Sequence, residues 1–440
     1  MVLNIPGAAD TQSRNEVALG ENEIICALTN KVVKATEKEL TLQSMISMMT
    51  EEYGFAPADM ERDFKVKYQD ENEGRSKTQK VDLAIFEEGT YHDAENLIRF
   101  IIVAKDAKVK ANDKKNGVEA SLENILVFTD CRFGCWTNGE DLQYQYSYED
   151  DFGQILCESI SDFPASGQTF ADLEAQGERA MPRKPANESL VKTFKRCHDY
   201  IYGNEGMKKT AFWELLNLIF CKLYDEKRRL RDAKEGISYR RKFWVGVKEQ
   251  NTVEGQKAVA ARIKGLFDEL KIDGSFADVF DGNEMINLSD RGLAYVASEL
   301  AKYSFLDATV DVKGTAYETI VSNTLKQEAG QFFTPRNIIK CMVEMLDPDQ
   351  NTRVLDPACG SGGFLVMVLD HVRRKIARNM YPELTGALLE AKYNTPEVDD
   401  MVRDYARKMI FGFDFDPDLK KAARMNMVMA GDGEAFETIV

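Results

Sequence analysis

Apolar positions change their period several times along the chain, and each change predicts an element. Between residues 21 and 53, Ile24, Ile25, Leu28, Val32 and Val33, then Leu40, Met45, Ile46 and Met49, recur at helical spacing. A charged stretch over residues 59–80, including Glu73-Gly74-Arg75-Ser76-Lys77, predicts an exposed loop. Short apolar runs at 81–86, 100–105, 125–128 and 134–137 predict strands, the last closing on an Asn138-Gly139 turn. A helical opening followed by short strands predicts a small α/β domain. The polar run over 165–178 and then Pro182-Arg183-Lys184-Pro185 predict a linker and the first domain boundary. From 189 to about 301 the pattern is helical. Its clearest stripe is Phe212, Leu215, Leu216, Ile219, Phe220, Leu223 and Tyr224.

The last third returns to alternating strands and helices. Val354-Leu355-Asp356-Pro357-Ala358-Cys359-Gly360-Ser361-Gly362-Gly363-Phe364-Leu365 reads as a short strand, a glycine turn and a helix start. Glycines let backbone approach a ligand and adopt positive φ, and the first N–H groups of the helix favour an anionic or polar group. Asp356 closes the strand, where open α/β sheets bind ligands. Upstream, Gly330-Gln331-Phe332-Phe333-Thr334-Pro335-Arg336 predicts a helix capped by Thr334 and opened by Pro335, with Ile338, Ile339, Met342, Val343 and Leu346 at helical spacing. Downstream, Ile410-Phe411-Gly412-Phe413-Asp414-Phe415-Asp416-Pro417 predicts a second strand ending in carboxylates and followed by a helix. An acid closing that strand is the usual partner of ribose hydroxyls.

Composition narrows the picture. The chain has 440 residues, enough for two or three domains, and a formal net charge of -16. That charge argues against a free-standing nucleic-acid binder, though a local basic face or separate subunit could grip DNA. Eight cysteines are scattered without a CxxC pair, and histidines stand only at 92, 198 and 371. Zinc is not expected; free thiols in a reducing cytoplasm are. There is no secretory signal and no apolar run of membrane-spanning length, so a cytoplasmic protein with no membrane partner is expected. The most basic run, Lys227-Arg228-Arg229-Leu230-Arg231, reads first as a solvated helix end and second as a DNA-facing patch.

The three C-terminal stretches, in motif and order, resemble the N6-adenine DNA methyltransferases of type I restriction–modification systems. The resemblance implies that Gln331, Phe332, Phe333, Thr334, Pro335 and Arg336, with Asp356, Pro357, Ala358, Gly360, Ser361, Gly362 and Gly363, hold S-adenosylmethionine. Asp414 and Phe415 would hold its ribose end. Gly314-Thr315-Ala316-Tyr317-Glu318 looks like the lead-in to the Gln-Phe-Phe-Thr-Pro motif. The family also uses an Asn-Pro-Pro-aromatic loop to hold a flipped adenine. The chain contains no Pro-Pro dipeptide and reaches Val440 before that loop would come. The expectation is therefore a cofactor-binding portion, inactive alone, with half of a Rossmann-like sheet and exposed edges. The alternative is a non-catalytic truncated subunit that binds partner proteins or DNA.

The front of the chain resembles the N-terminal nuclease domain of type I restriction subunits, which holds a divalent metal through Asp…(Asp/Glu)-x-Lys. Asp82 matches the first acid and Lys105 the lysine, but Val103 stands where the second acid belongs. A three-residue slide offers Asp106 and Lys108, expected on one strand face. A degenerate nuclease is expected, with Mg2+ only if it is active. The expected α/β architecture is thus a nuclease-like domain over 1–181, a helical domain over 182–312 and the cofactor-binding part of a methyltransferase over 313–440. Double-stranded DNA and specificity and restriction subunits are the implied partners.

Overall fold

The computed structural model describes residues 22–70, 74–176, 182–185, 188–273, 279–280, 282–308, 312–318, 334–393, 395–431 and 438–440. The N-terminal 1–21, expected to be loose, lie outside them, as do Gln331, Phe332 and Phe333.

Where helical spacing suggested one long element, a hairpin comes first. β1 (Glu23–Ile25) and β2 (Val32–Lys34) pair antiparallel, and Asn30 takes a positive φ of 55° in the turn. Only then does α1 (Glu37–Ser47) begin, its Glu39 N–H donating to the capping Thr36 hydroxyl. The stretch expected as a loop is largely strand: β3 (Met60–Arg62), β4 (Lys65–Asp70) and β5 (Arg75–Lys80). Alternation in Lys65-Val66-Lys67-Tyr68 buries Val66 and Tyr68 and leaves the lysines outward, a period of two that the charge had masked.

β6 (Leu83–Phe86) and β7 (Leu97–Val103) follow, then α2 (Val118–Phe128), β8 (Phe133–Thr137), β9 (Leu142–Glu149) and β10 (Ile155–Ile160). α2 corrects the strand expected at 125–128. A four-residue apolar run fits either element, and Leu122, Ile125 and Leu126 bury one helical face. One six-stranded sheet runs β10-β9-β8-β7-β6-β3, antiparallel except for β7 beside β8, the pair that α2 connects. Ile101 and Val103 of β7 pack with Leu42, Met45 and Ile46 of α1 on one face. Phe100 packs with Leu122, Ile125 and Leu126 of α2 on the other.

α3 (Phe170–Gln176) lies within the run read as polar. The expected linker is pinned: Arg183 donates to Asp162 at 2.6 Å, stacks over Tyr53 at 4.2 Å, and bridges to Tyr303. The helical expectation holds for α4 (Ser189–Gly203), α5 (Ala211–Lys234), α6 (Val253–Ile272) and α7 (Asp290–Ala301). The α5 stripe from Phe212 to Leu223 is buried. Its basic tail is neutralised from within, Arg228 pairing with Glu269 of α6 at 2.8 Å and Arg231 lying 3.8 Å from Asp273.

α8 (residues 312–318) leads to the last unit. That unit contains α9 (Arg336–Leu346), β11 (Val354–Asp356), α10 (Gly363–Met380), α11 (Gly386–Glu390), α12 (Pro396–Met409), β12 (Ile410–Gly412) and α13 (Pro417–Ala430). β11 and β12 pair in parallel, and Gly412 also bridges in parallel to Ile439. α13 carries two apolar faces. Ala422, Met425, Val428 and Met429 join the core of α4–α7, while Ala423, Met427 and Ala430 join that of α9–α12. Leu355 of β11 and Ile338, Met342, Met345 and Leu346 of α9 are exposed.

Candidate functional site

The strand, glycine turn and helix expected at 354–365 form as read. β11 ends at Asp356, the turn takes positive φ at Gly360 (53°) and Gly362 (80°), and α10 starts at Gly363. Gly362 caps α10 without any side-chain hydrogen bond to the helix's first N–H groups. A Cβ at Gly362 would lie 3.3 Å from Ala423 of α13, so the positive φ and the close approach both require glycine there.

Pairing of β11 with β12 brings the two acids to one place. Beyond the strands the ladder continues, with Phe413 N–H donating to Asp356 O and Cys359 N–H to Phe413 O, both at 2.9 Å. Asp414 Oδ2 accepts from Gly360 N–H at 2.9 Å, and its Oδ1 from Asp416 N–H at 3.1 Å. Asp356 Oδ1 accepts from Ala358 N–H at 3.1 Å. Burial raises the Asp356 pKa and the Asp414 charge adds to the rise, while the Ala358 N–H opposes it. The Cys359 thiol is pushed up to about 12, first by burial and then by the same two carboxylates, so it stays neutral. Two acids thus face one glycine loop and take backbone N–H donors from it and its neighbours.

Other expected residues fall around this centre. Pro357 and Ala358 are exposed at the turn, Ser361 is buried beneath it, and the Phe415 ring is 92% exposed beside Asp414. Thr334 is not the cap of α9. Pro335 takes that place with ψ of 137°, and its carbonyl accepts from Ile338 and Ile339 N–H, starting the helix one residue later. Ile339 of α9 would meet a Cβ at Gly363 at 3.2 Å, so this helix packs on the glycine turn. Arg336 donates to Glu318 at 3.0 Å, tying α9 to the expected lead-in.

Long-range supports carried no local signal. Asn426 of α13 donates to Ser361 O at 2.9 Å, a bond spanning 65 residues. Tyr317 OH donates to Ala422 O at 2.6 Å and anchors α13 to α8.

The expected metal residues at the front of the chain do not assemble. Asp82 is buried, its Oδ2 accepting from Val103 N–H at 2.8 Å and its Oδ1 paired with Lys38 Nζ at 2.7 Å. Val103, at the second acid's position, is apolar and 2% exposed. Lys105, Asp106 and Lys108 lie beyond the end of β7, not on one strand face, and Asp106 turns back to accept from Lys108 N–H at 3.0 Å. A divalent ion wants six or more oxygen ligands. No cluster of three His, Cys, Asp or Glu that could hold a metal occurs among the described residues, and these do not fit one.

Comparison with known proteins agrees with the two halves of this picture. Residues 308–438 match the N-6 DNA Methylase family, and residues 37–164 match the type I restriction enzyme R protein N terminus (HSDR_N). The type I restriction enzyme MjaVII methylase subunit of Methanocaldococcus jannaschii is 25% identical over 234 residues, covering 45% of this chain and 38% of the relative. The HindI methylase subunit of Haemophilus influenzae is 48% identical over 59 residues, 13% of each protein. The chain thus spans well under half the length of either relative. A solved modification subunit of a type I restriction enzyme from Vibrio vulnificus aligns with a TM-score of 0.40 at 21% identity, covering 57% of this chain and 55% of that one. A restriction-type segment therefore precedes a methylase-type segment in one chain. No helix among the described residues is long and apolar enough to cross a membrane.

Proposed function

We propose that this chain is the cofactor-binding portion of an S-adenosylmethionine-dependent N6-adenine DNA methyltransferase of a restriction–modification system. The paired carboxylates Asp356 and Asp414 around a glycine turn carry this reading, because they offer acceptors for both charged and hydroxyl ends of one ligand. S-adenosylmethionine, when bound, supplies an activated methyl group. Asp414 would receive ribose hydroxyls, and Asp356 the ammonium end or a further hydroxyl. The exposed Phe415 ring suits an adenine face. Gly360, Ser361, Gly362 and Gly363 bring backbone against the ligand, and Thr334, Pro335 and Arg336 border it, with Gln331, Phe332 and Phe333 completing the motif. Double-stranded DNA as substrate, specificity and restriction subunits as partners, and a cytoplasmic setting belong to the same proposal. So do domain divisions near 181 and 312, with the front domain a degenerate nuclease.

Calorimetric titration of the chain with S-adenosylmethionine tests this. Saturable one-site binding, weakened at least tenfold by Asp414→Ala, is expected. Absence of binding up to the solubility of the cofactor, in a folded chain, would reject it. Assay of methyl transfer to adenine in duplex DNA then separates the catalytic reading from a non-catalytic subunit. The 440 residues include no Asn-Pro-Pro-aromatic tetrapeptide to hold the base.

A further inference from the structure

The loop between β7 and α2, residues 104–117, holds five lysines (105, 108, 110, 114 and 115) and two aspartates in a chain of net charge -16. All five lysines are exposed. None of their ammonium groups has a hydrogen bond or ion pair among the described residues. The Lys115 charge acts on the carboxylate of Asp113. Surface lysines elsewhere do pair: Lys80 with Asp63 at 2.6 Å, and Lys408 with Asp404 at 2.8 Å.

The loop is nevertheless held in one shape. Asn138 Nδ2 donates to Val109 O at 2.9 Å, and Trp136 Nε1 donates to Asn116 O at 2.8 Å. Asp113 Oδ1 accepts from Lys115 N–H at 2.9 Å and Asn116 N–H at 2.8 Å. Val118 N–H donates to Ala111 O at 2.8 Å. Backbone, Asn, Trp and Asp groups do all this holding, and the lysine side chains take no part in it. Their charge is thus presented outward on a fixed frame, at no benefit to the fold.

We propose that this loop is a docking surface for the phosphate backbone of duplex DNA, working without a metal ion. The cation beside Asp82 is the chain's own Lys38, which with Val103 closes the position that the matched restriction family gives to a divalent ion. The exposed side chains of the loop are Lys, Asp and Asn, with no aromatic ring to stack on unpaired bases and no apolar anchor for a protein partner. What remains is sequence-independent charge contact with phosphates. The five lysines thus form a local concentration of positive charge in a chain whose net charge is -16. The inference takes DNA as the substrate class from the proposed function, but it needs no cofactor site.

The test is fluorescence anisotropy of the full chain with a labelled duplex of arbitrary sequence, in chelator, across a salt series. Binding without metal is expected, with log K falling linearly in log salt. Replacing all five lysines by Gln should reduce the slope by about 0.9 for each lysine that contacts a phosphate. Circular dichroism should be unchanged, since no lysine side chain supports the fold. An unchanged affinity and slope in the variant would overturn the proposal. So would preference for a polyglutamate peptide over duplex, or Mg2+-dependent cleavage lost in Asp82→Ala. The five-lysine variant should bind S-adenosylmethionine as the wild type does, so failure of the cofactor reading and failure of this one are separately visible.

Discussion

Replacing Asp356 by Asn should make the protein more stable alone and less stable with cofactor. The Asn side chain keeps the shape, and its Oδ1 can still accept from Ala358 N–H. What disappears is a negative charge. The folded Asp356 pKa lies above the ordinary value, mainly through burial, the Ala358 N–H opposing and Asp414 assisting. An acid whose pKa is raised by folding lowers stability once pH exceeds its unfolded value, so at neutral pH the ionised carboxylate costs the empty protein stability. The Asn variant should therefore unfold at higher urea, by a small margin because the group is only half buried. Cofactor binding moves the other way. A hydrogen bond to a charged group contributes about 1.5–3 kcal/mol, so affinity should fall by about tenfold to a hundredfold. At a cofactor concentration of about 100 Kd, the wild type gains about 2.7 kcal/mol from binding. A variant with a hundredfold weaker site would gain about 0.4 kcal/mol under the same conditions. Urea unfolding with and without S-adenosylmethionine should show the two proteins exchanging rank. A variant that binds cofactor as well as the wild type, or that is weaker without it, would refute the role given to this carboxylate.

Other perturbations test the supports. Gly362→Ala puts a Cβ at φ of 80° and 3.3 Å from Ala423, which should cost about 1–3 kcal/mol and weaken cofactor binding, read by denaturation and calorimetry. Arg183→Met leaves the Asp162 carboxylate without its 2.6 Å partner, for a loss of about 3–5 kcal/mol in urea unfolding. Adding Asp162→Asn should recover much of that loss. Glu299 is held down to about 2, Lys302 and Arg196 outweighing the burial that opposes ionisation. Its contribution is present above the ordinary glutamate value of 4.5 and is lost as pH falls from there toward 2. The loss should total on the order of 3 kcal/mol, and in Glu299→Gln this part of the acid unfolding profile should flatten.

Some of this molecule was legible in its order of residues. The glycine turn could be read because Gly360 and Gly362 take positive φ, a demand met within a few residues. The α5 stripe was equally plain, since one buried face of a long helix repeats at 3.6 residues. Failures came where local pattern fits two structures or where charge hid the pattern. The 125–128 run is as apolar as a strand but belongs to α2, and Val66 and Tyr68 alternate among lysines in β4.

The tertiary structure alone decided which groups meet. Asp414 reaches Gly360 across 54 positions, Asn426 reaches Ser361 across 65, and Lys38 neutralises Asp82 from another element. The two faces of α13 join cores that the sequence divides near 312, and Arg183 of the expected linker is fixed by Tyr53 and Asp162. Helical and strand periods record only which side of an element is apolar. Which partner covers that side, and which charge answers a buried carboxylate, is set by packing between segments far apart in the chain.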